Sequence, residues 1–153
     1  MKTKITLLVL IVFGGLLLST SCEKATEKLL EKLTPEFSAD VDGTTWKTKD
    51  VFALKSDSGF SITAAEDTVM FMFFIKEFKN GKYDISNSTE AAATYTIGDS
   101  PDIHIGLSGE IEVIEAEDNG VNFDIKFHFM AVNIVGDTVY ITNGEGKNII
   151  NPI

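Results

Sequence analysis

After Pro35 the sequence takes up a period of two and keeps it, which fits strands and no other regular structure. Phe37, Ala39 and Val41 alternate with Ser38 and Asp40, and Asp42-Gly43 marks a turn before Thr44-Thr45-Trp46. Val51 to Lys55 and Phe60 to Ala65 read as strands around Ser56-Asp57-Ser58-Gly59, and Thr68 to Ile75 follows Glu66-Asp67. Lys82 to Ile85, Thr94 to Ile97, Ile103 to Leu107, Gly109 to Ala116, Val121 to Ala131 and Val139 to Thr142 continue the series, with Gly and Asp at most breaks. Strands so closely spaced, with no helical pattern between them, predict an all-β antiparallel β-sandwich or open β-barrel over residues 36–153.

One hairpin can be given a register. Val121, Phe123, Ile125, Phe127 and Phe129 share a face, with Asn122, Asp124, Lys126 and His128 opposite. A two-residue Asn119-Gly120 turn would pair Val113 with Lys126 and mix apolar with charged side chains on each face. A three-residue loop, Asp118-Asn119-Gly120, pairs Val113 with Ile125, Ile111 with Phe127, Glu112 with Lys126 and Glu110 with His128. A one-residue slip exchanges the faces of a strand, so the second register is the expected one.

The stretch Val69 to Ile75 is apolar on both faces. One face must meet the core. The other, Met70, Met72 and Phe74, either packs under a cover in a dry interior or lines a cavity for a small apolar ligand, as in lipocalin-like barrels. The two readings divide on geometry: a continuous interior cavity beside Met70 and Met72 favours a carrier. A filled core with an exposed apolar patch favours a partner surface.

No catalytic residue, metal site or cofactor is read from the chain. Its two histidines, His104 and His128, lack the i, i+4 spacing of a metal pair and alternate onto the polar side of apolar strands, so both are expected at the surface. Asp99-Ser100-Pro101-Asp102 and Glu115-Ala116-Glu117-Asp118 lack the spacing of an EF-hand loop and read as solvated turns. Gly106-Leu107-Ser108-Gly109-Glu110 has its second Gly one place early for a nucleophile elbow and sits among strands. Asn87-Ser88-Thr89 fits an N-glycan sequon. Asp67-Thr68-Val69 and Asp137-Thr138-Val139 repeat a tripeptide at turns entering strands. Asp closes such turns and β-formers follow, but the tripeptide also resembles the O-glycosylation sequon of exported Bacteroidota proteins, with Thr68 and Thr138 as acceptors.

The N-terminus has a different composition. Lys2 and Lys4 precede an apolar run from Ile5 to Leu18, which is short of the ~20 residues of a membrane-spanning helix. Ser19-Thr20-Ser21-Cys22 follows, and Cys22 is the only cysteine. The segment resembles a bacterial lipoprotein signal peptide and its lipobox, with Ser19 where Leu is usual, a relaxation common in Bacteroidota. The resemblance implies a signal peptide over 1–21, lipidation of Cys22 and anchorage in the cell envelope, on the outer membrane. From Glu23 to Glu36 the sequence is charged and helix-prone, with Ala25, Leu29 and Leu33 four residues apart. Residues 22–35 are accordingly expected to form the lipidated cysteine and a short helical tether ended by Pro35. Without residues 1–21 the chain carries 11 Lys against 23 acids, and it contains no arginine. That balance argues against nucleic acid and anionic lipid head groups as partners.

Together, Asp42-Gly43-Thr44-Thr45-Trp46, Gly81-Lys82-Tyr83-Asp84-Ile85, Gly109-Glu110-Ile111-Glu112-Val113 and Ile141-Thr142-Asn143-Gly144-Glu145 resemble a family of small Bacteroidota lipoproteins classed as a domain of unknown function. The resemblance implies an all-β lipoprotein and brings no catalytic residues. The expected function is a lipid-anchored, non-enzymatic module that binds a protein partner, or alternatively carries a small apolar ligand.

Overall fold

The computed structural model describes residues 34–86, 90–98, 102–116 and 122–150. Cys22, the expected signal segment and most of the expected tether (residues 1–33), Asn87-Ser88-Thr89, Asp99-Ser100-Pro101, the Asp118-Asn119-Gly120 loop and residues 151–153 lie outside them. Ten strands follow one another: β1 (Glu36–Val41), β2 (Thr44–Thr48), β3 (Val51–Ser56), β4 (Gly59–Glu66), β5 (Val69–Ile75), β6 (Gly81–Asp84), β7 (Ala91–Ile97), β8 (Asp102–Ala116), β9 (Asn122–Val132) and β10 (Thr138–Ile150).

They form a single sheet in the order β2-β1-β10-β9-β8-β7-β5-β4-β3, and β6 shares with β7 the same edge of the long strand β8. All strand pairs are antiparallel, with one isolated parallel bridge between Ile85 and Ala91. The two ends of the order, β2 and β3, are neighbours in sequence, so the sheet must curl round on itself. The Thr48 hydroxyl donates to the Ala65 carbonyl at 2.9 Å, and the Ala65 amide donates to the Asp50 carbonyl at 3.0 Å. Of the two expected architectures, the chain adopts the barrel, left just short of closure.

Local chemistry explains the joints. Asp42 and Gly43, with φ of 48° and 82°, make a two-residue hairpin loop whose left-handed residues match the twist of β1 and β2. The β8–β9 register is the one expected from the three-residue loop: Glu110 pairs with His128, Ile111 with Phe127, Glu112 with Lys126 and Val113 with Ile125. β10 runs on to Ile150, well past the expected end at Thr142. Asn143 and Asn148, with φ of 50° and 53°, stand at two register shifts that let it bend and continue along β9.

The interior is filled from wall to wall. Phe37, Phe71, Phe73, Ile62, Ile75, Ile111, Ile125, Ile141 and Ile149 are fully buried. Phe37 stacks on Phe127 at 5.0 Å and meets Phe73 at 6.2 Å. Toward one end of the barrel Phe78, from the loop after β5, lies flat on Phe60 at 3.9 Å and edge-on to Phe123 at 4.9 Å. Tyr83 holds that loop: its hydroxyl accepts from the Lys79 amide at 2.9 Å and sits 2.8 Å from the Glu77 carbonyl.

Strand β8 corrects one sequence expectation. Ile103 to Leu107 and Gly109 to Ala116 are not two strands but one, interrupted by a bulge at which Leu107 and Ser108 together oppose Met130. The extra residue reverses the alternation. Beyond it Ile111 and Val113 point inward as expected, but before it Ile103, Ile105 and Leu107 point outward and His104 inward. His104 is 3% exposed, against 50% for Ile103 and 51% for Ile105. The expectation of a surface His104 is therefore wrong, whereas His128 is exposed as expected. The elbow-like Gly106-Leu107-Ser108-Gly109 is this bulge.

Candidate functional site

The bulge creates an uncharged outer surface. In register across the sheet lie Phe52 on β3, Thr63 on β4, Met72 on β5, Thr94 on β7, Ile105 on β8 and Val132 on β9. The next outward row on one side is Ala65, Met70, Thr96 and Ile103. On the other side stand Leu54, Ser61, Phe74 and Ala92, with Leu107 and Met130 at the bulge. None of these is charged, in a chain with 24% charged residues. Charge returns at the margins: at Asp50, opposite Ala65 at the β3 end of its row, at Glu66 and Asp67 beyond that row, and at Lys76 on the other side.

Met70, Met72 and Phe74 thus stand on the outside of the barrel, and Met72 is 40% exposed. They line no interior space, because the inward face of the same strand (Phe71, Phe73 and Ile75) closes against the core. Met70 and Phe74 are half-buried on the outer face, with the Phe74 ring lying over Gly59.

Along this face large and small residues alternate by strand. β3, β5 and β8 carry Phe, Leu, Met and Ile and form ridges. Between them β4 (Ser61, Thr63, Ala65) and β7 (Ala92, Thr94, Thr96) form furrows. Thr63 and Thr96 are each 7% exposed although they point outward, since the ridges on both sides shield them. Sequence reasoning missed this surface because it took Ile103, Ile105 and Leu107 for core. The available signal was Gly106 and Gly109 bracketing a place where the period of two loses a step.

A second cluster lies at the barrel end carrying the β1–β2 turn. Tyr95 pairs with His104, their rings 5.8 Å apart. Asn133 donates through Nδ2 to both carboxylate oxygens of Asp102 at 3.0 and 2.9 Å, and its Oδ1 accepts from the amides of Val135 and Asp137. His104 Nε2 lies 3.9 Å from Asp102 Oδ2, and its Nδ1 has no hydrogen-bond partner among the described residues. Burial pushes the Tyr95 phenol above its ordinary pKa, and the nearby Asp42 carboxylate adds to the shift. The arrangement ties the β9–β10 loop to β8. Among the described residues no group of three or more His, Cys, Asp or Glu side chains could hold a metal ion.

A groove of about 560 Å³ runs where β1 starts and β2 ends, lined by Lys47, Lys49 and Lys147 together with Glu36, Glu66 and Glu145. Asp50 also lines it, so its charges are of both signs, three lysines against four acids. Thr68 and Thr138 are both exposed, each at the turn leading into its strand, β5 and β10. No helix among the described residues is long and apolar enough to cross a membrane.

No curated protein and no solved structure matches the chain. A family model, Domain of unknown function (DUF6252), matches residues 33–149. By that match, which spans the barrel up to the last residue but one of β10, the chain belongs to the DUF6252 family.

Proposed function

We propose that this protein is a non-enzymatic interaction module of the cell envelope, held on the outer membrane by a lipid on Cys22, and that it works through the outside of its barrel. The uncharged ridged face of β3, β4, β5, β7 and β8 carries the reading. Contiguous apolar patches of several hundred Å² are rare on monomeric proteins and mark contact sites. Strand spacings of about 4.8 Å over five strands and alternate-residue spacings of about 6.8 Å over three rows make this one roughly 24 Å by 20 Å along the curved sheet, about 500 Å². The carrier alternative needs a cavity, and the interior aromatic rings occupy the space in which an apolar ligand would sit.

The anchor rests on the lipobox resemblance. Two or more acyl chains, at about 0.8 kcal/mol per buried CH₂, would hold the body at a membrane indefinitely. Anchorage and contact are tested together by placing a photo-crosslinking side chain at Ile105 in cells and comparing it with the same group at His128, which is exposed off the face. Adducts at 105 that are absent at 128 are expected, and Cys22→Ser should remove acyl mass. Equal yields at the two positions would contradict the surface reading, and acyl mass retained on Cys22→Ser would contradict the anchor.

A further inference from the structure

We propose that the β9–β10 loop, residues 133–137, is a rigid prong that docks into an apolar socket rimmed by lysine or arginine on another protein. The prong stands at the barrel end that carries the β1–β2 turn, and it does not depend on the ridged face. Its tip is Ile134 and Val135, 96% and 75% exposed, more than any other large apolar residue described.

The first observation is that the tip is held out. Asn133, 7% exposed, uses its whole side chain on the loop. Its Oδ1 accepts from the Val135 and Asp137 amides at 3.1 and 2.8 Å, and its Nδ2 donates to both carboxylate oxygens of Asp102. The Asn133 amide donates to the Asp137 carbonyl at 3.0 Å, and the Gly136 amide, at a φ of 94°, donates to the Asn133 carbonyl at 3.2 Å. A loop bonded in this way cannot fold Ile134 and Val135 back onto the barrel. Single exposed aliphatic residues are ordinary on a surface. Two neighbours at the tip of a pinned loop form an anchor that loses little freedom when it binds.

The second observation is charge, and it selects the occupant. Strand register brings Asp42, Glu66, Asp67, Asp102 and Asp137 to this end, with no lysine on the turns 42–43, 67–68 and 133–137. Asp102 and Asp137 stand directly beside the prong, since Asn133 Nδ2 lies 3.0 and 3.4 Å from their oxygens. Opposite charges across an interface steer encounter, and like charges suppress it. The partner must therefore join an apolar socket to a basic rim. A lipid surface would set anionic head groups against these carboxylates. A second copy meeting tip to tip would oppose them to themselves, and the lysine-lined groove of the chain holds four acids.

The test places a photo-crosslinking side chain at Val135 of the full chain in cells of the native host, with the adduct mapped by peptide mass. A protein adduct is expected whose contact peptide carries lysine or arginine, and adding Ile134→Ser, an exposed change that leaves the barrel intact, should abolish it. Asp42→Asn with Asp67→Asn removes two carboxylates and keeps both turns, because asparagine also accepts their left-handed φ and can still accept from the Tyr140 amide. The adduct yield should then fall by about threefold or more. No adduct, an adduct with lipid or with a second copy, or a yield that neither set of substitutions moves would overturn the proposal. The photo-crosslinker at Ile105 reports on the ridged face separately. Adducts at 105 with none at 135 would remove the prong and leave the face standing, and the reverse would remove the face alone.

Discussion

The ring of Phe37 on β1 lies 5.3 Å from that of Phe71 on β5, although β10, β9, β8 and β7 separate their strands in the sheet. Two side chains from opposite walls can meet only if nothing else lies between them. That contact makes the barrel a packed core and moves any binding to its outer surface.

Core and surface positions of β5 should therefore differ sharply in cost. Phe73→Ala should lose ~3–5 kcal/mol, since it removes a ring packed on Phe127 at 4.7 Å and leaves a void. Met72→Ala, next to Phe71 and Phe73 in the chain yet outward, should stay within ~0.5 kcal/mol. Denaturant midpoints of the two variants measure this, and comparable losses would mean that Met72 is a core residue.

Gly109 sits just past the β8 bulge, with φ of 150° and its Cα against the backbone of β9. A methyl group there would meet the His128 carbonyl and Phe129, so Gly109→Ala should cost ~1–3 kcal/mol or more from overpacking alone. The strained φ adds to it. A melting temperature equal to wild type would show that the close approach is absent.

The Asp40 carboxylate accepts from Asn143 Nδ2 at 2.8 Å and from the Thr45 hydroxyl at 2.6 Å, and these bonds hold its pKa below the ordinary value. A depressed folded-state pKa contributes stability that is present above the unfolded value and lost as pH falls through the folded one. Asn143→Ala should move the Asp40 titration upward toward the ordinary range, as read from its carboxyl carbon by NMR. An unmoved titration would show that the hydrogen bond is not its cause.

Thr68 and Thr138 keep their β-branched shape in Thr68→Val and Thr138→Val but lose the hydroxyl. If the repeated Asp-Thr-Val is a glycan acceptor, each substitution lowers the intact mass of protein from the native host by one glycan. Unmodified wild-type protein would leave the tripeptides as turn chemistry alone.

Much of this fold was legible because its signals are local. The Asp42-Gly43 loop needs two left-handed residues, and only one register of the β8–β9 hairpin puts Ile111 and Val113 opposite Phe127 and Ile125. The outer face was not legible, because its cause is a single added residue. A period-two reading carries Ile103, Ile105 and Leu107 to the same side as Ile111 and Val113 unless the bulge is known. No charged residue in Ile103-His104-Ile105-Gly106-Leu107 signals which side meets water. The inward plug formed by Phe78 was missed for a related reason: the loop carrying it has no period, and Tyr83 positions it through backbone contacts.

The reversal of faces in β8 is the central claim, since it turns three large aliphatic residues outward. The chain's two histidines report on it: His104 lies on β8 before the bulge, and His128, on β9 opposite Glu110, is the exposed reference. Diethylpyrocarbonate should modify His128 rapidly in the native protein and leave His104 untouched until the barrel unfolds, with site assignment by peptide mass. Equal rates at both histidines under native conditions, or faster reaction at His104, would place Ile103 and Ile105 back in the core and contradict the account.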